Sequence, residues 1–181
     1  MSRYIAFLRG MNLGNRRIQN DELCTHFSGL GYTNVAAFLA SGNVIFDAPT
    51  EPAAKITAHI EAGLKKALHY EVPTFLRTAT EVKAISAMDG ILPQPVPGTI
   101  GKVQVALLLT EPTEAACRAV MGLETDEDRL AIRGRELFWL PLRGILGSEL
   151  DMKVIGTQLG PMTVRTKRTI ERIVKKYLDP F

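Results

Sequence analysis

The spacing of apolar residues changes along the chain, and each change marks an element. Residues 4–9, YIAFLR, are almost continuously apolar and predict a short strand. Asn20 then caps a predicted helix, with Asp21 and Glu22 in the first turn, where carboxylates meet the positive helix end. Leu23, Phe27 and Leu30 recur at i, i+4 and i+7, and Gly31 ends the helix. Two β-rich runs follow, VAAFLA (35–40) and NVIFDA (43–48). The Ser41-Gly42 pair between them predicts an antiparallel hairpin. Thr50 and Pro52 open a long helix with the stripe Ile56, Ile60, Leu64 and Leu68, running to about His69. VPTFLR (72–77) predicts another strand. Thr80 begins a short helix carrying Val82, Ile85 and Met88.

Residues 89–101, DGILPQPVPGTIG, hold three prolines and three glycines and break any regular pattern, so they are the expected linker. The plan then repeats. KVQVALLLT (102–110) predicts a strand, and Pro112-Thr113 open a helix with Ala116, Cys117, Val120 and Met121 on one side. RLAIR (129–133) and ELFWL (136–140) flank Gly134-Arg135 as a second hairpin. A helical stretch begins near Ser148, and MTVR (162–165) is a short strand. A basic helix from about Lys167 to Leu178 carries Ile170, Ile173, Val174 and Tyr177 on its apolar side.

Each half thus has the order β-α-β-β-α-β plus a trailing helix. The expected fold is α+β: two tandem ferredoxin-like (split βαβ) units from internal duplication, with antiparallel sheets and helices packed on them. The expected boundaries are residues 1–88 for the first unit, 89–101 for the linker and 102–181 for the second unit. The two hairpins, AFLASGNVIFDAP and LAIRGRELFWLP, echo one another.

Composition narrows the class. The 181 residues are 46% apolar and 23% charged, as in ordinary globular domains. No apolar run is long enough for a membrane helix. The apolar start is too short for a signal peptide. Cys24 and Cys117 share no ligand or redox spacing, which predicts a reducing, cytoplasmic setting. The net charge of +3 is too small to imply nucleic acid, but it is unevenly distributed. Residues 1–20 hold four arginines and no acid, and residues 160–181 hold six basic side chains against two acids. The plain account of the basic C-terminal helix is that its Lys and Arg stems cover apolar surface.

The stretch LRGMNLGNRR (8–17) invites a phosphate-loop interpretation, but its glycines, Gly10 and Gly14, fit neither GxGxxG nor GxxxxGK[ST]. What remains is a glycine-rich loop whose backbone N–H groups suit an anion generically, beside the plainer solvated loop. The segments YIAFLRGMNLG, GYTNVAAFLASGNVIF and the late TVRT resemble the domain-of-unknown-function family 1697, a mainly bacterial family. Its usual features are LRG-[IV]-N-[VL]-G, Y-x-x-SGN-V-V-F, T-x-RNW-x-T and an RG-x-GRSKL-like segment. This chain matches at Leu8-Arg9-Gly10, Asn12, Gly14, Ser41-Gly42-Asn43, Arg143, Gly144, Ser148, Thr163, Arg165 and Thr169. It departs at Phe38 for Tyr, Glu149 for Lys, and Thr166-Lys167 for Asn-Trp. The resemblance implies a pair of ferredoxin-like units and brings no activity with it.

Candidate chemistry is sparse. His26, His59 and His69 lack partners at a familiar ligand spacing, so no metal site is expected, and no cofactor motif is present. Ser41 sits in a hairpin turn and not in a nucleophile elbow. Cys24 and Cys117 fall beside helix stripes as small buried thiols, and the acidic run Glu124–Asp128 suits a solvated turn. Phe7, Phe46 and Trp139 lie on strands, as in RNA-recognition sheets. Their strands are apolar on both faces, which favours core over a stacking platform. The leading expectation is a non-catalytic binding protein for an anionic ligand, a phosphorylated small molecule or nucleic acid. Arg9, Asn12, Asn43, Arg143 and Arg165 are the expected contacts, Arg clamping the anion and Asn orienting it. The rivals are a small enzyme using the same groups without an identifiable nucleophile, and a structural protein whose sheets pair into a dimer.

Overall fold

Strand β1 (Ser2–Leu8) is buried from Tyr4 to Leu8, as its unbroken apolar run requires. The computed structural model describes residues 1–11, 14, 16–92 and 97–179; Asn12 lies outside the described residues. The fold is α+β with two four-stranded antiparallel sheets. The chain divides into two units, Met1–Val82 with the stretch from Tyr177 onward, and Lys83–Lys176. Residues 89–92 and 97–101 fall within the second.

In unit 1, β1 is followed by α1 (Asn20–Gly29), β2 (Thr33–Phe38), β3 (Asn43–Ala48), α2 (Ala53–Leu68), β4 (Thr74–Thr78) and the first turn of α3 (Ala79–Ser86), whose residues from Lys83 on belong to unit 2. The sheet order is β2-β3-β1-β4. Alternate residues Tyr4, Ala6 and Leu8 of β1 join Val44, Phe46 and Ala48 of β3 in one core. Leu23 and Phe27 of α1 and Ile56, Ile60 and Leu64 of α2 close it. The intervening residues Ile5, Phe7, Ile45 and Phe75 are also fully buried. Strands β1, β3 and β4 are therefore largely out of water on both faces, which explains the absence of polar alternation in their sequences.

Unit 2 contains β5 (Gln104–Leu108), α4 (Glu114–Met121), β6 (Asp128–Arg133), β7 (Glu136–Pro141), α5 (Met152–Leu159), β8 (Met162–Thr166) and α6 (Lys167–Ile173), which continues as a π-helical turn over Val174–Leu178 whose residues from Tyr177 on group with unit 1. Its sheet order is β6-β7-β5-β8. Its core centres on Ala106, Leu108, Val120, Leu130, Leu137, Trp139 and Ile155.

Several expectations are corrected at element ends. Gln19, not Asn20, is the N-cap of α1, and it makes no side-chain cap bond. The first hairpin turns over four residues, 39–42, because Leu39 and Gly42 adopt φ of 59° and 74° and the ladder closes at Phe38 and Asn43. The second hairpin turns on two residues, Gly134 and Arg135, as its sequence indicated. The helix expected near Ser148 starts at Met152, where the Asp151 side chain accepts the Lys153 N–H; before it lies only a 3-10 turn at Ile145–Gly147. Phe7, Phe46 and Trp139 are core residues, 0%, 0% and 5% exposed, so none is a stacking platform. Among the described residues no helix is long and apolar enough to cross a membrane.

Candidate functional site

In unit 1 the two glycine segments of the sequence meet. The Leu8 N–H donates to the Gly42 carbonyl at 2.8 Å. A side chain at position 42 would stand 3.0 Å from Met11 Cγ and 3.1 Å from Leu8 Cβ, so both φ and space reserve this position for glycine. Arg9 follows immediately, with its N–H on the Pro73 carbonyl at 3.0 Å and its side chain exposed. Asn43 is fully buried, and its Nδ2 donates to Phe38 O at 2.8 Å and Ser41 Oγ at 2.9 Å. That amide stitches the four-residue turn together.

Unit 2 holds the other candidates in unlike settings. Arg143 is exposed and lies 3.1 Å from the Glu127 carboxylate. Arg165 is buried on β8, with Nη1 donating to Thr163 Oγ1 and to the Val164 carbonyl, both at 2.9 Å. Burial lowers its guanidinium to about 10, leaving it charged at neutral pH. The acidic run is not wholly solvated: Asp128 is fully buried, and its Oδ1 accepts the Trp139 indole N–H and the Ser148 hydroxyl, each at 2.7 Å. This carboxylate ties β6, β7 and the loop before α5 together.

One residue that the sequence reasoning passed over is Arg77. It is 1% exposed on β4, and its Nη1 donates to the Leu76 carbonyl at 2.9 Å. Arg77 stands opposite Ile5 of β1, as Arg165 stands opposite Val105 of β5. Thr78 and Thr166 follow, and each hydroxyl accepts the N–H three residues on. The signal was visible as Arg-Thr at a strand end before a helix, in LRTATE and again in VRTKRT.

A cavity of about 440 Å³ opens in unit 2 between the segment Met88–Leu92, the approach to β5 and the start of α6. Ile91, Leu92, Val103 and Leu140 give it apolar walls; Lys102, Lys167 and Arg168 bring positive charge, and Asp89 and Glu171 negative. Gly101 fixes one wall. Its N–H donates to the Leu142 carbonyl at 3.2 Å, and a Cβ there would overlap the Pro141 carbonyl at 1.5 Å. Lys167 Nζ donates to Asp89 Oδ1 and Glu171 Oε1, both at 2.8 Å, and its side chain is only 12% exposed. Burial alone would lower this ammonium; the bonds to Asp89 and Glu171 outweigh it and hold the group above its ordinary value. A nucleophilic lysine needs the opposite shift, so Lys167 is suited to holding charge and not to attacking a carbonyl. Burial likewise pushes the Cys24 thiol up, away from the reactive thiolate. Among the described residues no group of three or more His, Cys, Asp or Glu could hold a metal.

Residues 1–138 match the profile of a family described as "Protein of unknown function (DUF1697)". Among curated proteins none matches the chain. Among solved structures, the chain is similar to the conserved bacterial protein SP0830 from Streptococcus pneumoniae, with a TM-score of 0.74 and 20% identity over 99% of both chains. At that identity the likeness concerns the fold alone. The α6 side of the cavity lies beyond the span matched to the family.

Proposed function

The chain belongs to this family, DUF1697, and we propose that it is a non-catalytic binding protein for an anionic small molecule, taken up in the unit 2 cavity. The carrying observation is the cavity itself. Its volume falls within the roughly 300–1,000 Å³ of small-molecule sites, and it combines apolar walls with a few charged groups. Lys102, Lys167 and Arg168 would meet the anion. Arg165, two residues before Lys167, would serve the sheet through its bonds to Thr163 and Val164 and make no ligand contact. In this proposal Arg9, Asn43 and Arg143 make no ligand contact. A concave site favours a small molecule over nucleic acid, which is bound mainly along exposed basic surface.

Thermal unfolding with decanoate and decyl phosphate tests this. Ligand binding to the folded state raises Tm with ligand concentration. At least one probe should do so, and Val103→Trp, which fills the cavity, should abolish the response. The proposal fails if neither probe shifts Tm or if the filled variant responds like wild type. A short RNA that binds with a steep salt dependence while both probes fail would make the anion a nucleic acid.

We also propose that each unit is a ferredoxin-like, split βαβ unit and that the pair arose by internal duplication. Three observations support this. The strand orders correspond, Arg77 and Arg165 hold matching positions, and Leu108 donates to the turn residue Arg135 as Leu8 donates to Gly42. We further place the protein in the cytoplasm, in keeping with its two free cysteines.

A further inference from the structure

Resting on the cavity as an anion site, the charge and donor pattern narrows the ligand. An ammonium has three N–H donors. Lys167 uses two of them on Asp89 and Glu171, so among the described residues one donor remains for a ligand atom. The same two carboxylates place two negative charges beside its single positive one. A second negative charge on a ligand would meet both of them at short range. Over the whole lining, three cations and two acids leave a single positive charge in excess, which matches a monoanion.

The backbone points the same way. Phosphate sites are commonly built from converging backbone N–H groups or arginine forks. Of the two lining glycines, Gly90 and Gly101, the latter already gives its N–H to the Leu142 carbonyl, and the guanidinium present, Arg168, is exposed. The remaining walls are apolar, and Met88, Ile91 and Val103 are only half-buried, so they offer surface that an apolar ligand body would cover.

We infer that the ligand is a monocarboxylate with an apolar body. Its carboxylate accepts from Lys167 and lies near Lys102 and Arg168; its body lies against Ile91, Leu92, Val103 and Leu140. No covalent step is involved. Lys167 acts as a fixed donor, and Asp89 and Glu171 hold it in place while rejecting dianions.

Calorimetric titration of the full chain with decanoate, decyl phosphate and decanol, one body with three head groups, tests the inference. At about pH 8, above the second phosphate pKa of roughly 6, decyl phosphate is a dianion. Decanoate should bind at least tenfold more tightly than either of the others. Lys167→Met should weaken decanoate about tenfold or more and leave decanol unchanged, because only the carboxylate loses a charged donor. Decyl phosphate binding as tightly as decanoate overturns the monocarboxylate inference and leaves the anion-binding function standing. If neither anion binds, both fall. If decanol matches decanoate, the head group has no role and the inference falls. Should Lys167→Met fail to fold, the wild-type ratio of decanoate to decyl phosphate decides alone.

Discussion

The edge strands β4 and β8 end alike and then diverge. Each finishes in a buried arginine and a threonine that caps the next helix. In unit 1 the helix continues with Ala79 and Thr80, and Glu81 returns a carboxylate to the Thr78 N–H at 2.7 Å as a capping box. In unit 2 it continues with Lys167 and Arg168, and these line the cavity. The comparison separates two roles that one basic cluster in the sequence had merged. The arginine occurs in both units at the same register and serves the sheet. The cations after it occur in one unit only, where there is space for a ligand.

The cores supply the largest test of that contrast. Phe46 packs 4.7–5.9 Å from the rings of Tyr4, Phe27 and Tyr32, while Trp139, at the corresponding register of β7, uses its N–H on Asp128. Phe46→Ala should cost about 3–5 kcal/mol in urea unfolding. The arginine pair comes next. Arg77→Met and Arg165→Met should each cost about 1–3 kcal/mol by lost hydrogen bonds to the Leu76 and Val164 carbonyls. Neither should change decanoate affinity, and a loss of affinity in Arg165→Met alone would break the assignment of both arginines to the sheet.

The hairpin glycines sharpen the comparison further. Gly42 and Gly134 both have positive φ, but a Cβ at Gly134 would meet only Glu136 Oε2, at 3.7 Å. Gly134→Ala should therefore cost about 1 kcal/mol for backbone strain, and Gly42→Ala measurably more, since Met11 and Leu8 must also move. Thermal denaturation of the two variants side by side checks the order. The smallest effect belongs to Lys167→Met, below about 1 kcal/mol at pH 7, as for a partly exposed ion pair. Because the folded state holds Lys167 above the ordinary 10.5, its bridges stabilise from the ordinary carboxylate range, where Asp89 and Glu171 ionise, up to that value, and fade as pH climbs through the raised one. The stability gap between wild type and Lys167→Met should close above pH 10.5.

Much of this architecture was legible in local pattern. Periodicity placed the elements, Thr113 capped α4 by accepting the Ala116 N–H, and the two-residue turn at Gly134-Arg135 held. What was not legible depended on contacts distant in sequence. Leu39 takes a left-handed φ that nothing in its side chain favours, which lengthened the first turn. Asp128 looked like one acid in a solvated run until Trp139 and Ser148 supplied its donors. Asn43 had the right type for a ligand contact, but its amide closes its own turn. The cavity joins residues 88–92, 101–103, 140 and 167–171, a set that no local window contains.

Tyr177 carries a consequence for the order of synthesis. Its ring meets Phe38 edge-on at 5.8 Å, and it groups with unit 1 although the whole of unit 2 separates it from the rest of that unit in the chain. On the ribosome, the first hairpin would leave the exit tunnel long before the ring that covers Phe38 has been made. Unit 1 would thus be the first to begin folding and the last to be completed, with an aromatic side chain waiting for its partner through the synthesis of the entire second sheet.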